Sequence, residues 1–255
     1  PHIPILHRIN DTDIARKSNF IDKNIFQINE LSDFTIFISS WVKKYFFKKK
    51  LRPKNFMVIN NIANHSLFNI KNKIFWKKNK IFKIATHHWS NNFQKGFEEY
   101  LTLDNLLFSK KEAKIKFYII GNVPPQSKWK FAKIIKPLND KKLANKLKSF
   151  DGYISGAKYE AGGYHVIEAL QCGLPVIYFP NSGNIKEIVG NKYGLKTDKK
   201  NILKNINKLK NKYPFYKKKI VKYLKFVNQE DMYMSYYQII KKIMILKRNI
   251  KNFFL

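Results

Sequence analysis

Glu160 and Glu168 flank two glycines, Gly162 and Gly163, and the run Val166-Ile167-Glu168-Ala169-Leu170 leads on to Gly173 and Pro175. Glycine at the front and Gly then Pro at the back predict a helix of about ten residues that stops before a new strand. The amides of a glycine-opened helix start, together with the positive end of its dipole, favour an anion such as a diphosphate. Glu160 stands just ahead of this start. Glu168 is about 7.5 Å along the axis, but helical side chains lean toward the N-terminus, so its carboxylate points back to the same crevice. Two acceptors beside an anion receptor are the layout that grips hydroxyls on either side of a diphosphate. The bland alternative, a solvated Glu168 paired with a lysine, is weakened by its apolar neighbours, among which an unpartnered carboxylate is costly. A capping role is the corresponding alternative for Glu160. His165 reads as a packed histidine and Cys172 as inert core.

A helix start of this kind needs a strand ahead of it, and the sequence supplies many. Short β-branched and aromatic runs at 3–9, 34–38, 56–59, 81–86, 115–120, 132–135, 152–154 and 175–179 are each followed by a helical stretch. Their nearly continuous apolar character is that of strands buried on both faces, and strand-helix alternation implies right-handed parallel units, hence an α/β fold. The polar interval 69–80, alternating Lys and Asn, reads as a linker between the first three strands and the rest. After Gly194 the pattern turns helical, over 201–210, 215–226 and 230–246, and the last helix is expected to pack back on the start of the chain.

The 255 residues carry 50 basic and 17 acidic side chains, a formal charge of +33, with 44% hydrophobic and 15% aromatic residues. That apolar content excludes intrinsic disorder. Only Arg8, Arg16, Arg52 and Arg248 are arginines, and lysine is spread over every segment alongside Asn, Ile and Phe. Codon bias produces such a mixture, whereas a nucleic-acid reader concentrates Arg, so no specific nucleic-acid partner is expected, and a peripheral attraction to anionic lipid is left open as a nonspecific alternative. A single cysteine fits a reducing compartment, and no apolar run approaches the ~18 residues of a membrane span. The first residue is Pro1, which suggests a piece of something longer.

The string from Glu160 to Val176, with Glu-Ala-Leu-Gln-Cys-Gly-Leu-Pro-Val after the glycines, resembles the Glu-x7-Glu signature of family 4 (group 1) retaining glycosyltransferases of GT-B architecture. The segments 32–39, 58–61, 94–97, 118–121 and 182–189 fall in that family's order, so the similarity covers most of residues 1–245. It implies two Rossmann-like parallel-sheet domains, the N-terminal one incomplete: 1–70 on the acceptor side, 71–226 binding a nucleotide sugar, and 227–255 a helix crossing back to the first. By the same resemblance Glu160 contacts the transferred sugar, Glu168 binds the ribose, and Gly162, Gly163 and Tyr164 face the diphosphate.

The family's Lys-Gly element puts Lys95 on the diphosphate. A cation at a helix start opposes the dipole, so a nearby anion is expected to offset it. The family's arginine five residues earlier is replaced by Ser90, which leaves the phosphate clamp weaker or completed by His87, His88 or Trp89. His7 matches the histidine near the donor sugar, with a hydrogen-bonded strand-end histidine as the plain alternative. The resemblance implies hexosyl transfer with retention from a nucleotide-diphosphate sugar to a glycan or lipid-linked acceptor, with no metal or other cofactor, at the cytoplasmic membrane face. Asp11-Thr12-Asp13 has the spacing of a metal-diphosphate element but sits in the wrong half. The competing readings are another nucleotide-sugar enzyme of this architecture, such as an epimerase, or a basic lipid- or nucleic-acid-binding protein.

Overall fold

The computed structural model describes residues 3–252, with side chains described over 3–245. The described residues form two compact units, one of 3–62 with 228–252 and one of 63–227.

In the first unit β1 (Leu6–Ile9), β2 (Phe34–Phe37) and β3 (Phe56–Val58) form a parallel sheet in that order. The strands alternate with α1 (Asp13–Arg16), α2 (Ile21–Leu31) and α3 (Ser40–Lys48). Thr12 and Ser39 cap α1 and α3 by accepting from Ala15 and Val42 amides, as short hydroxyl residues do at helix starts. The long final helix α10 (Gln229–Asn252) places Ile239 and Ile243 in one cluster with Phe34, Ile36 and Ile59. Arg8 Nε donates to Tyr236 Oη on this helix at 2.8 Å.

The second unit is a six-stranded parallel sheet of β4 (Phe82–His88), β5 (Ile115–Gly121), β6 (Lys133–Ile135), β7 (Gly152–Ser155), β8 (Val176–Tyr178) and β9 (Gly194–Lys196), ordered β6-β5-β4-β7-β8-β9. The connections carry α4 (Phe97–Ser109), α5 (Asp140–Lys148), α6 (Tyr164–Gln171) and α7 (Ile185–Val189), and α8 (Ile202–Asn211) and α9 (Tyr213–Leu224) follow the last strand. Successive strand residues enter opposite cores: Ala85, Tyr153 and Val176 join one buried cluster, while Ile84, Ile154 and Ile177 join the other. Period-two alternation with both faces covered is why these strands read as continuous apolar runs. Sequence order runs outward in both directions from the β4/β7 neighbours, so the crevice at their C-terminal ends is the switch point where such sheets bind ligands.

All eight strands expected from the sequence are present, the first shortened to begin at Leu6. Strands do not stop at Gly194, however. Residues Gly194–Lys196 form β9 because Gly194 fits flat against Val176, where a β-carbon would lie 1.7 Å from the Val176 carbonyl oxygen. Nor is the 69–80 interval a linker. Lys73 is buried, its ammonium donating to the Phe150 carbonyl at 2.8 Å, and Phe75 and Trp76 pack on the second unit's core. The break between units falls after Ile62.

Candidate donor-binding site

Gly163 is the N-cap of α6 with φ +56°, and no side chain caps this helix. An L-residue in that left-handed region is strained, which is why glycine sits here. The remaining α6 residues are buried apart from Tyr164 and half-buried Glu168. A helix start without a side-chain acceptor directs its amides and dipole at whatever anion the crevice holds.

Glu160 is fixed by its backbone. The Asn184 amide donates to the Glu160 carbonyl at 2.8 Å, and Glu160 forms an isolated parallel bridge with Gly183. Gly183, at φ +65°, tolerates no β-carbon, which would stand 2.4 Å from the Glu160 carbonyl oxygen. The Ser182-Gly183-Asn184 segment is thus the rest on which Glu160 lies.

Lys95 reaches Glu160 by an equally specific route. Asn92 Oδ1 accepts from the Gln94 amide at 2.9 Å to start a single 3-10 turn, Phe93–Lys95. Gly96 then takes φ +94°, and its α-carbon lies so close to Gly156 that a β-carbon would meet the Gly156 backbone at 2.3 Å. The loop after β4 is therefore pressed onto the loop after β7, where the Lys158 amide donates to the Gln94 carbonyl at 2.9 Å. Lys95 Nζ donates to Glu160 Oε1. The anion expected to offset Lys95 at a helix start is Glu160 itself.

Glu168 Oε2 lies 2.8 Å from His87 Nε2, at the end of β4. The other residues named for a phosphate clamp have their own local partners. His88 is enclosed, 2.7 Å from Tyr100 Oη and 3.1 Å from Thr86 Oγ1, and burial holds its pKa well below the usual value. Trp89 is exposed, with its carbonyl accepting from Asn122, and Ser90 Oγ accepts from the Asn92 amide in a local turn. His165 is buried against Ser155 Oγ at 2.8 Å and burial pushes its pKa well down, so it is a neutral packing histidine. Cys172 is buried and its thiol is pushed up to about 12 by burial.

In the first unit His7 lies within β1, paired in register with Thr35. It is buried, its Nδ1 has no hydrogen-bond partner among the described residues, and burial lowers its pKa, leaving a neutral imidazole. Asp11 pairs with Arg16, and Asp13 Oδ1 accepts from Ser18 Oγ at 2.7 Å and the Ile21 amide at 2.9 Å. These aspartates build the turn between α1 and α2.

The sequence reading missed how His87 and Glu168 are joined, because 81 positions separate them. It also missed Gln171, whose amide clamps the Ala63 main chain at 2.9 and 3.0 Å. Among the described residues no group of three or more His, Cys, Asp or Glu is placed to hold a metal ion, and no helix is long and apolar enough to cross a membrane.

The chain shares its fold with solved glycosyltransferases. Sucrose-phosphate synthase from Thermosynechococcus elongatus superposes with TM-score 0.73 at 15% identity, over 94% of this chain and 68% of that one. Anabaena Alr3699/HepE in complex with UDP and glucose gives 0.71 at 14% identity, over 94% and 71%. The pneumococcal O-GlcNAc transferase GtfA in complex with UDP and GlcNAc gives 0.71 at 13%, over 94% of this chain but 53% of that one. The chain thus spans between about half and seven-tenths of the length of these proteins. No curated protein gives a significant match. The family model described as glycosyl transferases group 1 matches residues 70–225, which contain Lys95, Glu160, α6 and the Gly183 rest. With two parallel-sheet α/β units of GT-B type and that match over most of its length, the chain belongs to the group 1 glycosyltransferases.

Proposed function

We propose that this chain binds a nucleotide-diphosphate sugar in its second unit and transfers the sugar, a hexose, with retention of anomeric configuration to a glycan or lipid-linked acceptor. The observation that carries the reading is that the candidate groups of the second unit all lie on the segments after β4 and β7, the two strands flanking the switch point. Lys95 follows β4, while Glu160, the uncapped start of α6 and Glu168 follow β7. Two structural neighbours form complexes with UDP and glucose or GlcNAc, which makes a UDP-hexose the first donor to try.

In this reading the diphosphate rests against the amides around Gly162, Gly163 and Tyr164 and takes Lys95, while Glu168 accepts from the ribose hydroxyls. Glu160, once its cation turns to the diphosphate, accepts from a hydroxyl of the transferred sugar. Breaking the glycosidic bond leaves negative charge on the diphosphate and positive charge on the sugar. Fixed amides and an ammonium stabilise the former without reorganisation, and the nearby carboxylate favours the latter. These groups do the work a divalent ion does elsewhere, so transfer proceeds without one. His7 is the candidate contribution of the first unit to the sugar, and the distributed lysines favour an anionic membrane surface at its cytoplasmic face.

The test is a thermal-shift panel with UDP-glucose, UDP-GlcNAc, GDP-mannose and the free nucleoside diphosphates, followed by product analysis with and without acceptor. A ligand that binds only the folded chain raises the melting temperature in proportion to the logarithm of its concentration over Kd. Stabilisation by one donor and acceptor-dependent release of its nucleotide support the reading. A donor altered without acceptor indicates epimerisation, and no stabilisation by any member contradicts donor binding.

A further inference from the structure

Glu168 does not stand alone on its helix. His87, the penultimate residue of β4, is buried and sends Nε2 to Glu168 Oε2 at 2.8 Å, while its Nδ1 lies 3.1 Å from the hydroxyl of Tyr153 on the adjacent strand β7. The same hydroxyl accepts from the His87 amide at 3.0 Å, so Tyr153 anchors both the ring and the backbone of His87. Ring packing adds to this, with His87 and Tyr153 edge to face at 5.5 Å between centroids. We propose that His87 is a positioning residue for the donor's ribose, acting through Glu168: Tyr153 fixes its tautomer, and His87 Nε2–H orients one carboxylate oxygen so that the other faces the ribose hydroxyls. This rests on the assignment of Glu168 to the ribose.

The chemistry follows from what each atom can donate. Tyr153 is fully buried and burial raises its pKa well above the usual value, so it stays a phenol with a proton to give. That one proton has two acceptors in reach, His87 Nδ1 at 3.1 Å and the His87 carbonyl oxygen at 3.3 Å; given to the nearer Nδ1, it leaves the ring proton on Nε2, where it faces a carboxylate that only accepts. A carboxylate held on one oxygen by a rigid donor loses less rotational freedom on binding a diol than a free one, and preorganisation of this kind raises affinity.

The experiment uses the full chain and isothermal titration with the tightest binder among UDP, GDP, ADP and CDP, against its 2′,3′-dideoxy counterpart. Wild type is expected to prefer the ribonucleotide by roughly tenfold or more, the size of a charged hydrogen bond or two. Glu168→Gln and His87→Phe are expected to lose most of that preference while binding the dideoxy form as wild type does. His87→Gln, whose amide donates from nearly the Nε2 position, is expected to recover it. A His87→Phe variant that keeps the full preference while Glu168→Gln loses it overturns the role of His87 and leaves the ribose assignment standing. A Glu168→Gln variant that keeps it overturns both, as does a wild-type chain that binds no nucleotide. Nitrogen-15 shifts of the His87 ring give a reading independent of variant folding: an Nε2–H tautomer supports the network, and an Nδ1–H tautomer contradicts it.

Discussion

Lys95 and Glu160 form an ion pair across 65 positions of sequence, although one is the candidate partner of a diphosphate and the other of a sugar. Each neutralises the charge the other would offer a donor. The two side chains are only 30% and 15% exposed, so the cost of desolvating the charges offsets much of their attraction. Under the proposed function, Lys95 exchanges one carboxylate for a diphosphate of higher charge, and Glu160 is released as the sugar arrives.

Glu160→Gln is accordingly expected to separate binding from turnover. Removing the carboxylate frees Lys95, so nucleoside-diphosphate affinity stays the same or tightens by up to about tenfold, while transfer falls by roughly 10²–10⁴. Calorimetry and a transfer assay on the same preparation check both halves. Weaker nucleotide binding in this variant contradicts the exchange.

Lys95→Met is expected to show the opposite pattern. Loss of a charge-assisted contact lowers nucleoside-diphosphate affinity by roughly ten- to a hundredfold. The melting temperature falls as well, because the mostly buried Glu160 carboxylate is left without its cation. A large fall in melting temperature with affinity unchanged would make Lys95 a structural residue.

The glycines of the two site loops differ in what surrounds them, which ranks their substitutions. Gly96→Ala combines φ +94° with a backbone clash at 2.3 Å against Gly156, and is expected to cost more than about 2 kcal/mol and to displace Lys95. Gly163→Ala meets side chains rather than backbone, the flexible end of Ile188 at 2.9 Å and Ile185 at an ordinary 3.5 Å, and costs about 1–2 kcal/mol for its left-handed backbone. Urea denaturation of both variants measures the order, and equal losses contradict it.

Lys73 predicts a pH dependence. Burial lowers its pKa to about 8 from the model-peptide 10.5, so between these values the folded chain holds fewer protons than the unfolded one. Stability from this group therefore rises with pH across that window and is lowest below it. Relative to Lys73→Met, the wild-type chain should gain up to a few kcal/mol between pH 8 and 10.5. Denaturation of both proteins across the window checks the sign, and a difference that moves the other way removes the buried-ammonium explanation.

Much of the second unit was legible because its strands are buried on both faces and the helix at its site, α6, stops at a glycine, Gly173. β9 was not, since Gly194-Leu195-Lys196 has little strand preference and exists only because it pairs with β8. The 69–80 interval was misread for a related reason. Its Lys/Asn composition is that of a linker, and only Phe75 and Trp76 hint that it is packed, while the burial of Lys73 depends on carbonyls at the end of α5. At the site, local sequence revealed Glu160, Glu168 and the glycines as residue types at a spacing. The pairings that tune them, Lys95 with Glu160 and His87 with Glu168, are tertiary products of two loops pressed together at Gly96 and Gly156.

A crystal structure of the full chain with its tightest-binding nucleoside diphosphate tests the central assignment most directly. The diphosphate should lie against the first amides of α6 with Lys95 Nζ turned from Glu160 onto a phosphate oxygen, and the ribose hydroxyls should meet Glu168. A nucleotide bound elsewhere, or one at this helix with Lys95 still on Glu160 and the ribose away from Glu168, would contradict it.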